Sequence, residues 1–400
     1  MKKYESLLTT ILLLVNFVSF SQDKEVKKEE GYKFEIVKKI NATPVKDQYR
    51  SGTCWSYSAV SFLESELLRM GKGEYNLSEM FFIRLAYYEK ALRYVRMHGN
   101  SSFGAGGEAH DVLEIIRKYG VVPEEVYTGN VIGEENPVHG EMDAVLKGML
   151  EEVIKNKNGK LSPVWYDAFN KTADSYLGEI PEKFVYKGTE YTPKSFAAEL
   201  GINPDDYIEV GSFTHHPYYS DFILEVPDNW FWGRIFNVPL DEMIEILDNS
   251  LEEGYTVVWA SDVSEKGFSF KNGLAIVPDE DTSGMNDLEK LKWDKLTDKE
   301  KEKQLYNFDM PGKEKPVTQT MRQQAFDNYS TTDDHGTHIT GIVKDQSGTK
   351  YYLVKNSWGT NLNDYNGYFY ASVPFVRYKT MYIMVNKNAI PRNIRKKLNL

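Results

Sequence analysis

The chain has 400 residues, a formal net charge of -11, and 41% hydrophobic and 14% aromatic side chains. That length accommodates one large domain or two ordinary ones with a sizeable core. An acidic surface repels phosphate backbones, so no nucleic acid partner is expected, and the basic stretch "PRNIRKK" near the C-terminus reads as a solvated tail.

In chain order, Met1-Lys2-Lys3 and the apolar run "LLTTILLLVNFVSF" predict a signal peptide over residues 1–21, cut before Gln22. The run is too short and interrupted for a comfortable membrane span, so no stable membrane insertion is expected after cleavage. The mature chain is expected to be exported, periplasmic or extracellular; an uncleaved anchor is the alternative. Residues 22–31 are charged and expected to be disordered. "YKFEIVKKI" alternates like a strand. Apolar residues at 55, 59, 62, 63, 67 and 70 predict a helix from Trp55 to Met70, ended by Gly71 and Gly73. Ser78-Glu79 caps a second helix reaching about His98. In "GGEAHDVLEIIRKYG" a third helix carries Ala109, Val112, Leu113 and Ile116 on one face, with Gly120 past its end. "MDAVLKGMLEEVI" predicts a fourth.

Residues from about 160 to 330 are mixed. They include an amphipathic helix in "NVPLDEMIEILDNSLEEG" and an apolar strand in "YTVVWASDV". Residues 279–316, dense in Asp, Glu and Lys, predict a surface excursion or mobile loop. Four strands follow, in "HITGIV", "KYYLVKNSW", "GYFYASV" and "MYIMVNK". Helices early and strands late predict an α+β protein with its site between two segregated halves.

Cys54 is the only cysteine. One cysteine forms no internal disulfide, so in an exported chain it is either a free reactive thiol or a small buried hydrophobe. Its neighbours favour the first. Cys54 sits at the start of the helix beginning at Trp55, where unpaired N–H groups favour a thiolate, and a histidine cation would favour it further. The Cys54 N–H and the side-chain amide of Gln48, folded back across Ser51-Gly52-Thr53, could stabilise an oxyanion. "TTDDHGTHITGI" supplies His335 as a base, and "YYLVKNSWGTN" supplies Asn356 to orient it, with Trp358 to shield that contact from water. His338 competes with His335, but strand residues three apart point to opposite faces. A metal site at Asp333, Asp334, His335 and His338 is not expected, nor any other metal or cofactor. His215-His216-Pro217-Tyr218-Tyr219 reads as aromatic packing.

Gln48, Cys54-Trp55, His335 and Asn356-Ser357-Trp358-Gly359 stand in the order of the papain-like cysteine peptidases, which the chain resembles. "NLSEMF" and "GAGGEAHDVLEIIRKYGVVPEEVY" add to the likeness. It departs from the secreted papain type in three ways. Ser51 stands where a disulfide cysteine is usual. Cys54 and His335 are 281 residues apart, against about 130 to 150 in papain and cathepsins. Only 26 residues separate the expected cut from Gln48, which leaves no room for a large propeptide. All three fit the bleomycin hydrolase and aminopeptidase C group, and "NVPLDEMIEILDNSLEEGYTVVWASDV" resembles that group's segment before the histidine.

The resemblance implies a two-lobed fold, with a helical left lobe and a β-barrel-like right lobe. The peptidase domain would span 22–400, with a family-specific insertion at about 128–328. It implies peptide substrates, hydrolysed through a thioester acyl-enzyme on Cys54. His335, Asn356 and Gln48 would complete the catalytic set. Gly106, Gly107, Trp55, Trp358 and Leu400 would line the substrate. In the resembling group a C-terminal arm lies in the cleft and its carboxylate receives the substrate's amine, and the enzymes are often homohexamers. Here the chain ends soon after its last strand. If Leu400 reaches the cleft, aminopeptidase action follows. If not, the cleft is open and endopeptidase cleavage is permitted. A non-catalytic peptide-binding protein on the same scaffold is the third reading.

Overall fold

The computed structural model describes residues 31–400. The expected signal peptide, residues 1–21, lies outside them, as does the charged stretch up to residue 30.

Strand β1 (Glu35–Lys39) leads into three helices, α1 (Cys54–Arg69), α2 (Glu79–Arg96) and α3 (Ala109–Tyr119). Every residue of α1 from Trp55 to Leu67 is buried, so it is the central helix rather than a one-sided amphipathic one. The Ser78 hydroxyl caps α2 by accepting from the Phe81 N–H at 3.1 Å. The face of α3 holding Ala109, Val112, Leu113 and Ile116 is buried as its spacing predicts.

The middle of the chain holds α4 (Gly140–Lys155), α5 (Val164–Leu177), β2 (Phe184–Tyr186), β3 (Thr189–Tyr191) and α6 (Pro193–Leu200). There follow β4 (Tyr207–Gly211), β5 (Asp221–Ile223), β6 (Arg234–Asn237), α7 (Leu240–Glu252), β7 (Val257–Ser261), β8 (Phe268–Ser269) and β9 (Leu274–Ala275). The acid- and lysine-rich stretch is not a bare loop. It forms α8 (Asp287–Asp294) and α9 (Asp298–Leu305), each started by a reciprocal cap, Asn286 with Glu289 and Thr297 with Glu300. Only Trp293 of these two helices is buried, so they are a surface excursion as expected. After α10 (Gln319–Asp327) come β10 (His335–Lys344), β11 (Lys350–Lys355), β12 (Tyr368–Ser372), α11 (Val373–Lys379), β13 (Thr380–Asn386) and α12 (Arg392–Lys397).

Among the described residues eleven strands form one sheet in the order β5-β6-β4-β13-β7-β10-β11-β12-β9-β8, with β1 paired to β10. Its two ends do not pair, so the β-rich lobe is an open sheet and not a closed barrel. The stretch 128–328, read as an insertion, is woven into this sheet, because β4 and β7 pair with β13 and β7 also pairs with β10.

Alternation along the central strands separates two cores. Val258, Ala260, Tyr382 and Met384 face α1 and the other early helices. Val257, Trp259, Ile383 and Val385 face the opposite way, onto α7 and the Ile394 and Leu398 side chains of the C-terminal segment. The junction of α1 with the sheet also carries polar groups. Ser61 Oγ lies 2.9 Å from His338 Nδ1 and accepts from Lys355 Nζ at 2.7 Å. Among the described residues no helix is long and apolar enough to cross a membrane.

Candidate active site

Cys54 opens α1 after a tight turn. Ser51 N–H donates to the Gln48 carbonyl at 3.1 Å, and Tyr49 (φ +45°) and Gly52 (φ +66°) take the left-handed backbone. Gly52 fits because it lacks a side chain: a Cβ there would stand 3.0 Å from Ala105 Cβ. The turn folds Gln48 back towards the helix start. Backbone pairing then ties it to the segment after Asn356, with Gln48 N–H donating to Ser357 O at 2.8 Å and Gly359 N–H to Lys46 O at 3.2 Å. The Ser357 hydroxyl donates to Gln48 Oε1 at 2.7 Å. That bond occupies the acceptor end of the amide and leaves its NH2 as a free donor.

His335 begins β10, opposite Ser261 of β7. Its Nε2 lies 2.7 Å from Asn356 Oδ1. An amide oxygen only accepts, so Nε2 carries the proton and Nδ1 keeps the lone pair. Trp358 covers this contact, its ring centroid 4.6 Å from that of His335 at a tilt of 32°. The histidine's neighbour brings the two lobes together. The Gly336 backbone hydrogen-bonds the Cys54 sulfur, and a Cβ on Gly336 would stand 2.8 Å from Ser58 Oγ and 3.4 Å from Cys54 O. A bare backbone is therefore required where β10 crosses the first turn of α1. His338 points elsewhere, to Ser61 two turns further along α1, where burial holds it neutral.

The electrostatics depart from the expectation drawn from the helix start alone. Burial pushes the Cys54 thiol up to about 12, only partly opposed by the Gly336 bond, and the charges of Asp333 and Asp228 push it the same way. Burial also lowers His335, against the Asn356 hydrogen bond. Desolvation outweighs the helix terminus, so burial disfavours the charged form of each group. A proton moved from the thiol to Nδ1 would create both charges at once, and each would stabilise the other. A His335→Ala variant should therefore react with iodoacetamide at pH 7 about 100-fold more slowly than the wild type, or worse, because its thiol has lost its counter-ion. Equal labelling rates, followed by mass spectrometry at this single cysteine, would show that no such pair forms.

The expected substrate-lining residues divide. Gly106 and Gly107 do stand beside the helix start, but protein side chains fill the space they leave. A Cβ on Gly107 would lie 2.6 Å from Asp111 Oδ2 and 3.0 Å from the Trp55 ring, and one on Gly106 would strike the Asp228 carboxylate. Trp55 is a support rather than a substrate contact: it is 2% exposed and its Nε1 donates to Ala105 O at 2.9 Å. Leu400 is corrected outright. Ile394 and Leu398 are buried in the core shared with α7, Lys397 pairs with Glu242 at 2.6 Å, and the Leu400 N–H turns back to Arg395 O at 3.1 Å. The C-terminus thus lies across the sheet from Cys54, and its carboxylate is not in the cleft.

The positioning role of Ser357 was not expected from the sequence, although Ser357 stands inside "NSWG", nor was that of Gly336, because a lone glycine carries no signal. For metals, His215, His216 and Glu225 bring three ligand-type atoms within 4.8 Å of one another. Both imidazoles already meet Glu225, at 3.1 and 2.8 Å, and stack on Phe326 and Phe222, the aromatic packing expected there.

Comparison with known proteins agrees with this geometry. The Peptidase C1-like family model matches residues 181–400, more than half of the chain. The chain belongs to that family. The papain family cysteine protease model matches residues 32–160, the part that carries Gln48 and Cys54. This cysteine peptidase is 24% identical over 419 residues to Aminopeptidase C of Lactobacillus delbrueckii subsp. lactis, covering 94% of this chain and 86% of the relative. It is 23% identical over 412 residues to Aminopeptidase C of Streptococcus thermophilus, covering 92% and 85%. The crystal structure of PepW from Lactobacillus rhamnosis HN001 shares the fold, with a TM-score of 0.67 at 19% identity over 91% of this chain and 84% of that one.

Proposed function

We propose that this peptidase is an exported aminopeptidase that removes N-terminal residues from short peptides, with Cys54 as nucleophile. The single observation that carries the mechanism is the hydrogen bond from the Gly336 backbone to the Cys54 sulfur, which brings the residue next to His335 onto the nucleophile. The thiol gives its proton to His335 Nδ1 as the sulfur attacks the scissile carbonyl carbon. The carbonyl oxygen takes the negative charge and is met by the Cys54 N–H and the Gln48 NH2. The intermediate collapses to a thioester as the C–N bond breaks, and the imidazolium returns its proton to the departing amine. Water, deprotonated by the same imidazole, then attacks the thioester and frees the thiol. Asn356 keeps the proton on Nε2 throughout, so Nδ1 faces the chemistry.

Aminopeptidase action is supported by the names of the relatives. One observation favours a second reading, endopeptidase cleavage: the Leu400 carboxylate is not in the cleft to receive an amine. An aminoacyl coumarin amide offered with a free and with an acetylated amine separates the two. The free form is expected to be cleaved faster, and faster cleavage of the acetylated form would overturn the aminopeptidase reading. Assembly as a homohexamer belongs to the same proposal, and light scattering on the mature chain checks it.

A further inference from the structure

The loop after β5 carries an acid that the hydrolytic steps above leave unused. Asn229 fastens this loop: its Nδ2 donates to Leu224 O at 2.9 Å and Gly233 O at 3.0 Å, and its Oδ1 accepts from Gly233 N–H at 2.7 Å. Trp230 is buried, and its Nε1 donates to Asp111 at 2.5 Å, in the first turn of α3. Between these anchors and the glycine loop stands Asp228. Its carboxylate fills the space a side chain on Gly106 would take. So a rigid support holds one carboxylate against the backbone that runs beside the nucleophile.

Asp228 makes no hydrogen bond or salt bridge with any described residue. The nearest cation, Lys90, is buried beneath the glycine loop and donates to Gly104 O at 2.8 Å and to Gly106 O. The charge of Asp228 is felt at the Cys54 sulfur, as is that of Asp333. Burial raises the Asp228 carboxyl above its ordinary range, and Lys90 only partly opposes this. A half-buried carboxylate without a partner is costly in the resting protein, and a cation arriving from a substrate would relieve it. The carboxylate of the chain's own C-terminus cannot serve that purpose, because it lies across the sheet.

We propose that Asp228 is the ammonium-binding subsite of this peptidase: its carboxylate, held against Gly106, receives the free α-amine of a peptide whose scissile carbonyl lies at Cys54. Asp333 adds negative potential at the Cys54 sulfur. The anion thus comes from the loop after β5 rather than from the chain terminus. This inference rests on the aminopeptidase reading, and its test is separable from that one.

The test uses the full chain and the same coumarin amide pair with neutral side chains. Asp228→Asn keeps the shape and removes the charge. It is expected to lower kcat/KM for the free-amine substrate by about 10- to 100-fold, mainly through KM, with far less effect on the acetylated one. Asp228→Glu should recover part of the loss. Labelling of Cys54 by a thiol-directed epoxide should proceed in both variants, showing that the site has folded. An equal loss on both substrates, or an unchanged ratio between them, overturns the proposal. So does a selective loss on an acetylated substrate with arginine at its first position, since Asp228 would then read a basic side chain. If the wild type shows no preference for the free amine, the aminopeptidase reading itself has failed.

Discussion

Replacing Cys54 with alanine will abolish peptide hydrolysis, by at least about 10⁴-fold in kcat, while the fold persists. The magnitude follows from the loss of the covalent route: what remains is oriented binding and the oxyanion donors, with water in place of the sulfur as the attacking group. Persistence of the fold follows from the place of the residue. Cys54 is partly exposed at a helix start, and the first turn is held by the Ser56 and Tyr57 N–H groups on Thr53 O at 3.0 and 3.4 Å, not by sulfur. Steady-state assay on the free-amine substrate, with circular dichroism as the control, checks both halves. A variant as active as the wild type would remove Cys54 from the chemistry and favour a peptide-binding protein on a peptidase scaffold.

The largest loss of stability is expected at Trp259, on the face of the sheet opposite α1. Trp259 is fully buried in β7, the strand between β13 and β10. Its ring packs on Phe369 and Phe375 at 6.3 and 6.2 Å, and its Nε1 donates to Thr380 Oγ1 at 2.7 Å. Truncation to alanine leaves a cavity between the sheet and the helices on its far face and strips the Thr380 hydroxyl of its donor. The cost is about 3–5 kcal/mol. A lowered guanidinium midpoint with an unchanged slope is the expected readout. A shift below about 1 kcal/mol would mean that the sheet collapses around the gap.

Much of the site could be read from residue order, because its parts have chemically specific neighbours. The helix after Cys54, the capped start of α2 and the buried face of α3 followed from spacing alone, since each is decided within a few turns. His335 was separable from His338 because a strand alternates, and the structure sends the two rings to Asn356 and to Ser61. Other features were not legible for physical reasons. The acid-rich stretch 279–316 offered no apolar periodicity, so its two helices were hidden, although the reciprocal caps in "NDLE" and "TDKE" are local signals that could have revealed them. The raised thiol could not be inferred from its place at a helix tip, because it depends on the strand that crosses it and on the charges of Asp333 and Asp228. The position of Leu400 depended on whether "AIPRNIRKKLNL" turns into the cleft or onto α7. Ile394 and Leu398 decide that by burying themselves in the core shared with α7, which is distant in the sequence. Asp228 had no motif around it, and its placement comes from Asn229 and Trp230.

A single sulfhydryl at the reacting position has a practical meaning for anyone who handles the enzyme. Dithiothreitol can be present at every step of a preparation, since there is no cross-link for it to break. One equivalent of an irreversible tag per molecule then counts competent copies directly, so turnover numbers can be corrected for inactive material without a separate standard.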